Sequence, residues 1–194
     1  MCWAFTFCCG EALTCWGFSS GVTASDIGGG DTSWTSVSNA GDGSTATFAS
    51  NTMGAAAGST ANTLKVGNYS LAMPTTATSV KATARVYGKL TGGMADEYNG
   101  SIVLSLDFSY DSGTSSPPVT FGWDASLLSF GGVIDFNTSP VELVYDSGGI
   151  SGLDVNDTDF AAELTFSKSG VGFGQPILDV SKVDVRVCHE PLGV

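Results

Sequence analysis

Residues 68–89 read NYSLAMPTTATSVKATARVYGK. Val80, Ala82, Ala84 and Val86 alternate with Lys81, Thr83, Arg85 and Tyr87. Period-two alternation of apolar and polar residues marks a strand with one buried and one wet face. Leu71 and Met73 lead into Pro74. Proline has no N–H to donate, so Pro74 is expected to end a strand and open a turn. A strand of this kind needs a sheet to pair with. The stretch organises a fold and carries no chemistry.

The composition agrees. The chain has 26 glycines and only 13% charged residues, against about 25% in an average soluble domain. Runs of Leu, Ala, Glu and Lys at helical spacing are absent. An all-β chain with many turns fits both facts. Seven Lys and Arg stand against 19 Asp and Glu, a formal charge of −12. A nucleic-acid binder needs a basic face, so no nucleic-acid partner is expected. Anionic membrane surfaces are disfavoured for the same reason, and no apolar run nears the ~20 residues of a membrane helix. The N-terminus is apolar, but Lys65 is the first basic residue and Glu11 interrupts the run. A signal peptide is therefore not expected, and release by lysis would suit a protein that leaves its cell.

Residues 1–19, MCWAFTFCCGEALTCWGFS, differ from all that follows. Trp3, Phe5, Phe7, Trp16 and Phe18 make the segment densely aromatic, and Trp3, Phe5 and Phe7 alternate as in a short strand. So much apolar surface is sticky in water. The segment folds back on its own domain, docks into a partner subunit, or belongs to a processed start; the five aromatics are the expected partner anchors. Cys2, Cys8, Cys9 and Cys15 lack the C-x2–4-C pairing of common zinc sites. They are candidates for a disulfide, with Cys188 or another chain also available, or for a metal site completed by Cys188 and His189. A cytosolic setting would keep all five cysteines reduced.

Residues 20–33 contain Gly28, Gly29 and Gly30 and read as a linker. The expected division is an arm and linker over 1–33 and a β-sandwich over 34–194. Strands are expected at 45–49, 64–66, 80–87, 102–109, 119–123, 127–130, 133–136, 141–145 and 160–166. One more is expected at 178–187, where the apolar parity switches at Ser181-Lys182 and signals a bulge or burial on both faces. Residues 50–62 and 147–159 read as loops. The spacing suits a two-sheet antiparallel sandwich of jelly-roll type.

No catalytic residue, metal site or cofactor is assigned. His189, the lone histidine, is expected at the surface. Its neighbour Cys188 would point to the opposite face of a strand, which rules out a Cys-His pair. Asp154, Asn156, Asp157 and Asp159 resemble a calcium loop, but Asp159 and Thr165 stand where an EF-hand needs Gly and Glu. Turn and cap formation explains them better. Asp96, Glu97 and Asp107 could supply a glycosidase pair only at the right separation. Tyr87, Tyr98, Tyr110, Trp123 and Tyr145 could stack on sugars if several shared one sheet face.

Three pieces in order carry a resemblance. They are Trp34–Ala46 with its Asp-Gly turn, Tyr69–Lys89 with Pro74 before an alternating strand, and Ile150–Phe166 followed by Leu178–Val187. Together they resemble a β-sandwich module of tailed-bacteriophage virion proteins. Ile150 stands where that module often has Trp, and the final strand lacks an aromatic before Val183-Asp184. The resemblance implies a non-enzymatic structural protein on the virion exterior: a capsid decoration protein, or alternatively a tail or fibre component. It implies the major capsid protein or other virion subunits as partners, and a homotrimer. The alternative of another class is a carbohydrate-binding or host-adhesion module with a glycan ligand.

Overall fold

The computed structural model describes residues 13–78, 80–146, 148–170 and 174–190. The strands in chain order are β1 (Thr14–Cys15), β2 (Ser19–Ser20), β3 (Thr23–Asp26), β4 (Ala49–Thr52), β5 (Leu64–Gly67), β6 (Val80–Thr91) and β7 (Ser101–Tyr110). After them come β8 (Thr114–Ser115), β9 (Val119–Asp124), β10 (Val133–Asp135), β11 (Val141–Tyr145), β12 (Ala161–Ser169) and β13 (Ile177–His189). A single helical turn, α1 (Gly152–Val155), precedes β12.

One sheet runs β4–β13–β6–β11, and the other β5–β12–β7–β9. Every strand pairing is antiparallel. The chain crosses from sheet to sheet in the order of a jelly roll: β4, β5, β6, β7–β9, β11, β12, β13. The short strands extend this frame. β1 and β2 share an edge of β13 with β4, β10 shares an edge of β6 with β11, and β3 pairs with β5.

The alternation in the sequence fixes the core. Val80, Ala82, Ala84, Val86 and Leu90 of β6 are buried with Val183, Val185 and Val187 of β13. They face Ile102, Leu104, Leu106 and Phe108 of β7 and Leu164 and Phe166 of β12, also buried. Phe108 stacks on Phe160 at 5.6 Å between ring centroids and meets Tyr145 edge-on at 6.5 Å.

The longest ladder joins β6 and β13 over twelve residue pairs, from Ile177↔Thr91 to His189↔Val80. Its register shifts between Val180 and Lys182. The parity switch in the sequence is thus a bulge, and β13 is also buried on both faces for most of its length. Ser181 is fully buried there, its hydroxyl donating to Asn137 Oδ1 at 2.6 Å.

Several local expectations are corrected. No strand ends at Pro74: Met73 N–H donates to Asn156 Oδ1 at 2.9 Å and Asn156 Nδ2 donates to Met73 O at 2.8 Å. One side chain thus satisfies both backbone groups that a neighbouring strand would otherwise have paired. The strand expected at 45–49 lies at Ala49–Thr52, where Ser50 donates to the Asp179 carboxylate and Asn51 Nδ2 donates to Thr32 O at 2.9 Å. Residues 127–130 are not a strand; a 3-10 turn spans Ala125–Leu128, with Asp124 accepting from Ser126 N–H at 2.9 Å. The linker expected over 20–33 includes β3, and Asp26 accepts from Trp34 N–H and Gly28 N–H, each at 2.9 Å. Trp34 is buried and donates Nε1–H to Asn62 O at 2.6 Å. The structure therefore does not part between residues 33 and 34.

Gly88 is where the central ladder runs tightest. A Cβ there would lie 2.0 Å from Asp179 O and 2.9 Å from the Phe136 ring. Gly88→Ala is expected to lower stability by about 1–3 kcal/mol, as overpacking does. Urea unfolding measures it, and an unchanged midpoint would contradict the close approach.

Candidate functional site

The N-terminal segment joins the fold along β13. Thr14 lies opposite His189 and Cys15 opposite Cys188, and the two cysteines form a disulfide. Trp16 N–H donates to Val187 O at 3.1 Å, and its ring lies 5.4 Å from that of His189. The Phe18 ring centroid lies 3.8 Å from the Arg85 guanidinium and 4.7 Å from that of Arg186, distances at which a cation and an aromatic face attract.

Of the five expected partner anchors, Trp16 and Phe18 are therefore engaged on the chain's own sheet. Trp3, Phe5 and Phe7 lie outside the described residues. So do Cys2, Cys8 and Cys9, while Cys15 is assigned to the disulfide. His189 is buried rather than at the surface, because Trp16 covers it and its Nδ1 meets the Glu190 carbonyl.

The acidic loop is occupied by its own backbone. Ser151 Oγ accepts from Asp154 N–H and Asp154 accepts from Ser151 N–H at 2.7 Å, a capping box for α1. Asn156 holds Met73, and Asp157 accepts from Asp159 N–H at 2.7 Å. Among the described residues no group of three or more His, Cys, Asp or Glu is placed to hold a metal ion. Asp96 accepts from the Tyr98 hydroxyl at 3.1 Å before β7 begins. Asp107 lies six residues beyond Ser101 on that strand, about 20 Å at the usual rise.

The aromatic candidates do not share a sheet face. Tyr98, Tyr110 and Tyr145 are buried. Tyr87 lies under Lys182, at 4.4 Å. Trp123 packs on Phe136 at 5.2 Å and points to the core. A cleft of about 320 Å³ opens beside β3 and β5, lined by Thr23, Lys65, Asn68, Asp159 and Phe160. Lys65 there is already paired with Glu163 at 3.4 Å.

The cations are concentrated. Five of the chain's seven, Lys81, Arg85, Lys89, Lys182 and Arg186, stand on β6 and β13. Lys81 meets Asp146 at 2.8 Å, Arg85 meets Glu142 at 2.6 Å and Lys182 meets Asp184 at 3.0 Å. The ladder is laced with ion pairs rather than presenting a bare basic face.

At the Thr91 end of the same ladder the surface is apolar. Val133 and Ile177 flank Thr91 on adjacent strands, and they are 55% and 40% exposed. The chain continues into two interlocked turns. Phe130 N–H donates to Asp96 O at 2.8 Å, Gly131 N–H to Gly93 O at 2.9 Å, and Gly92 N–H to Gly132 O at 2.9 Å. These bonds bring Met94, Leu127 and Phe130 together with exposures of 83%, 60% and 62%. Phe130 sits at φ +57°, a left-handed conformation unusual for a bulky residue. No sequence signal gathered these five, because they come from three segments with no shared period.

No protein-family model matches the chain, and no curated protein matches it. Among solved structures, the family 32 carbohydrate-binding module of C. perfringens NanJ, solved with galactose, is similar at 15% identity and a TM-score of 0.38. The match covers 87% of this chain and 98% of that one. At that score the fold rests on the strand pairings described above.

Asp107 faces Glu163 across the β7–β12 ladder. Burial, and then the Glu163 charge, push its carboxyl above the usual range, partly offset by a hydrogen bond from Ser115. A carboxyl raised in the folded state costs stability at pH values above both its unfolded and folded pKa. The cost fades as pH falls and protonates both states. Asp107→Asn is expected to stabilise the protein at pH 7, with the gain shrinking at pH 3. Urea unfolding at the two pH values checks it, and a loss of stability at pH 7 would contradict it.

Proposed function

We propose that the chain is a non-enzymatic structural protein of a bacteriophage particle. On this reading it is a decoration subunit of the head exterior, anchored through the segment before Leu13 to the capsid or to a neighbouring subunit. The observation that carries the proposal is where that segment meets the fold. β1 pairs only two residues with β13, yet Cys15 is tied to Cys188. A pull on the segment passes through the disulfide into β13, the longest strand of the sandwich, instead of peeling off a two-residue strand. Disulfides persist in oxidising surroundings, which a particle meets after lysis. Trp3, Phe5 and Phe7 supply the adhesive surface, each ring burying ~150–250 Å² when docked.

Among the described residues, the β6 and β13 cations are mostly ion-paired, Asp154 is turned to capping and the candidate aromatics are dispersed. The test uses undecorated particles and two full-length proteins, the native chain and Trp3→Ser/Phe5→Ser/Phe7→Ser. The native chain is expected to co-sediment at a saturating copy number that matches the particle symmetry, and the variant is expected to remain in solution. Equal binding by both would move the anchor onto the sandwich. No binding by either, with retention on immobilised glycans, would overturn the proposal in favour of a carbohydrate-binding module.

A further inference from the structure

We infer that the exposed apolar ridge formed by Met94, Leu127, Phe130, Val133 and Ile177 receives the Trp3–Phe7 segment of a second copy of this chain. The inference rests on the structural-subunit reading above and names the partner of the same segment.

Reach decides between the chain's own segment and another copy's. The described residues begin at Leu13, next to the His189↔Val80 end of the central ladder. The ridge lies at the opposite end, where Ile177 pairs with Thr91. The eleven steps of β6 from Val80 to Thr91 separate the two ends, about 35–37 Å at the usual strand rise. Phe7 stands six residues before Leu13, and even a fully extended chain carries it ~20–22 Å. It cannot reach its own ridge. Phe5, eight residues out, reaches ~26–29 Å at most. A neighbouring copy has no such limit.

Chemistry agrees with the geometry. Residues 1–10 carry no charged side chain, and the five ridge residues are uncharged, so docking strips no ion of water. Trp3, Phe5 and Phe7 alternate in sequence, the spacing that puts three rings on one face when a segment adds as a strand. Among the described residues β10 ends its sheet path with one edge unpaired. An added strand can take its backbone bonds from that edge while its rings cover Val133 and Phe130. Phe130 stays exposed at a positive φ, and strain of that kind persists where it serves a contact. The contact joins two different surfaces, so it is head-to-tail and closes as a ring when the rotation permits.

The test is complementation in solution, without particles, with Cys2, Cys8 and Cys9 replaced by Ser in every protein to prevent chance crosslinks. One full-length variant loses the segment's rings (Trp3→Ser/Phe5→Ser/Phe7→Ser). The other loses the ridge (Leu127→Ser/Phe130→Gly), the glycine suiting the positive φ. Thermal unfolding confirms that each folds. Analytical ultracentrifugation is expected to show the parent self-associating and each variant weakened ~30-fold or more, the loss of at least one hot spot. Mixing the two variants is expected to restore a one-to-one complex, because each retains the half that the other lacks. A monomeric parent, a ridge variant that associates like the parent, or a mixture that stays monomeric would overturn the inference. Particle sedimentation by the native chain would still decide the structural-subunit reading independently.

Discussion

The β6–β13 ladder is the constraint on which the rest of the structure depends. Its twelve pairs place two long strands side by side at the centre of one sheet. β13 offers its free edge to β1, β2 and β4, and β6 offers its own to β10 and β11. Both strands bury one face against the second sheet, so an error of one residue in their register would turn Val183, Val185 and Val187 outward. The bulge at Ser181 lets one strand serve two registers. Without it, Leu178 and Val180 would lie on the opposite face of the strand from Val183 and Val185.

Much of this frame was legible in the sequence because alternation reports burial directly. β6, β7, β11 and β12 are strands of plain period two, and their inward residues are the ones that the pattern marks. The parity switch pointed to a bulge or to burial on both faces, and β13 has both. β4 was displaced because its residues, Ala49–Thr52, are small and polar, and their positions are held by side-chain bonds to Asp179 and Thr32. β3 was hidden by its glycine-rich neighbours. Gly28 and Gly29 take positive φ in the turn that follows it, so the glycines punctuate a strand instead of marking a free linker.

The interaction surfaces were less legible, for a physical reason. A disulfide between Cys15 and Cys188 joins residues 173 apart in sequence, and no spacing rule chooses that pair from five cysteines. The ridge draws Met94 from one turn, Leu127 and Phe130 from another, and Val133 and Ile177 from two strands. In sequence each is an ordinary apolar residue. The interlocked turns at 92–97 and 127–133, and the pairing of Val133 and Ile177 with Thr91, bring them together. The acidic loop was easier to read. Turn and cap formation, preferred in the sequence over a calcium site, is what Asp154 and Asp157 do, while Asn156 holds the backbone of Met73. The opposite ends of one ladder thus hold the start of the described residues and an apolar surface exposed among them, the two halves of the proposed contact between copies.

Site-specific photo-crosslinking tests that contact most directly. A benzophenone amino acid replaces Phe5, and labelled and unlabelled copies are mixed before irradiation so that bonds between copies can be distinguished by mass. The account predicts crosslinks between copies that map to Met94, Leu127, Phe130 or Val133. Crosslinks confined to the chain's own sandwich, or landing on the cleft beside β3 and β5, would contradict it.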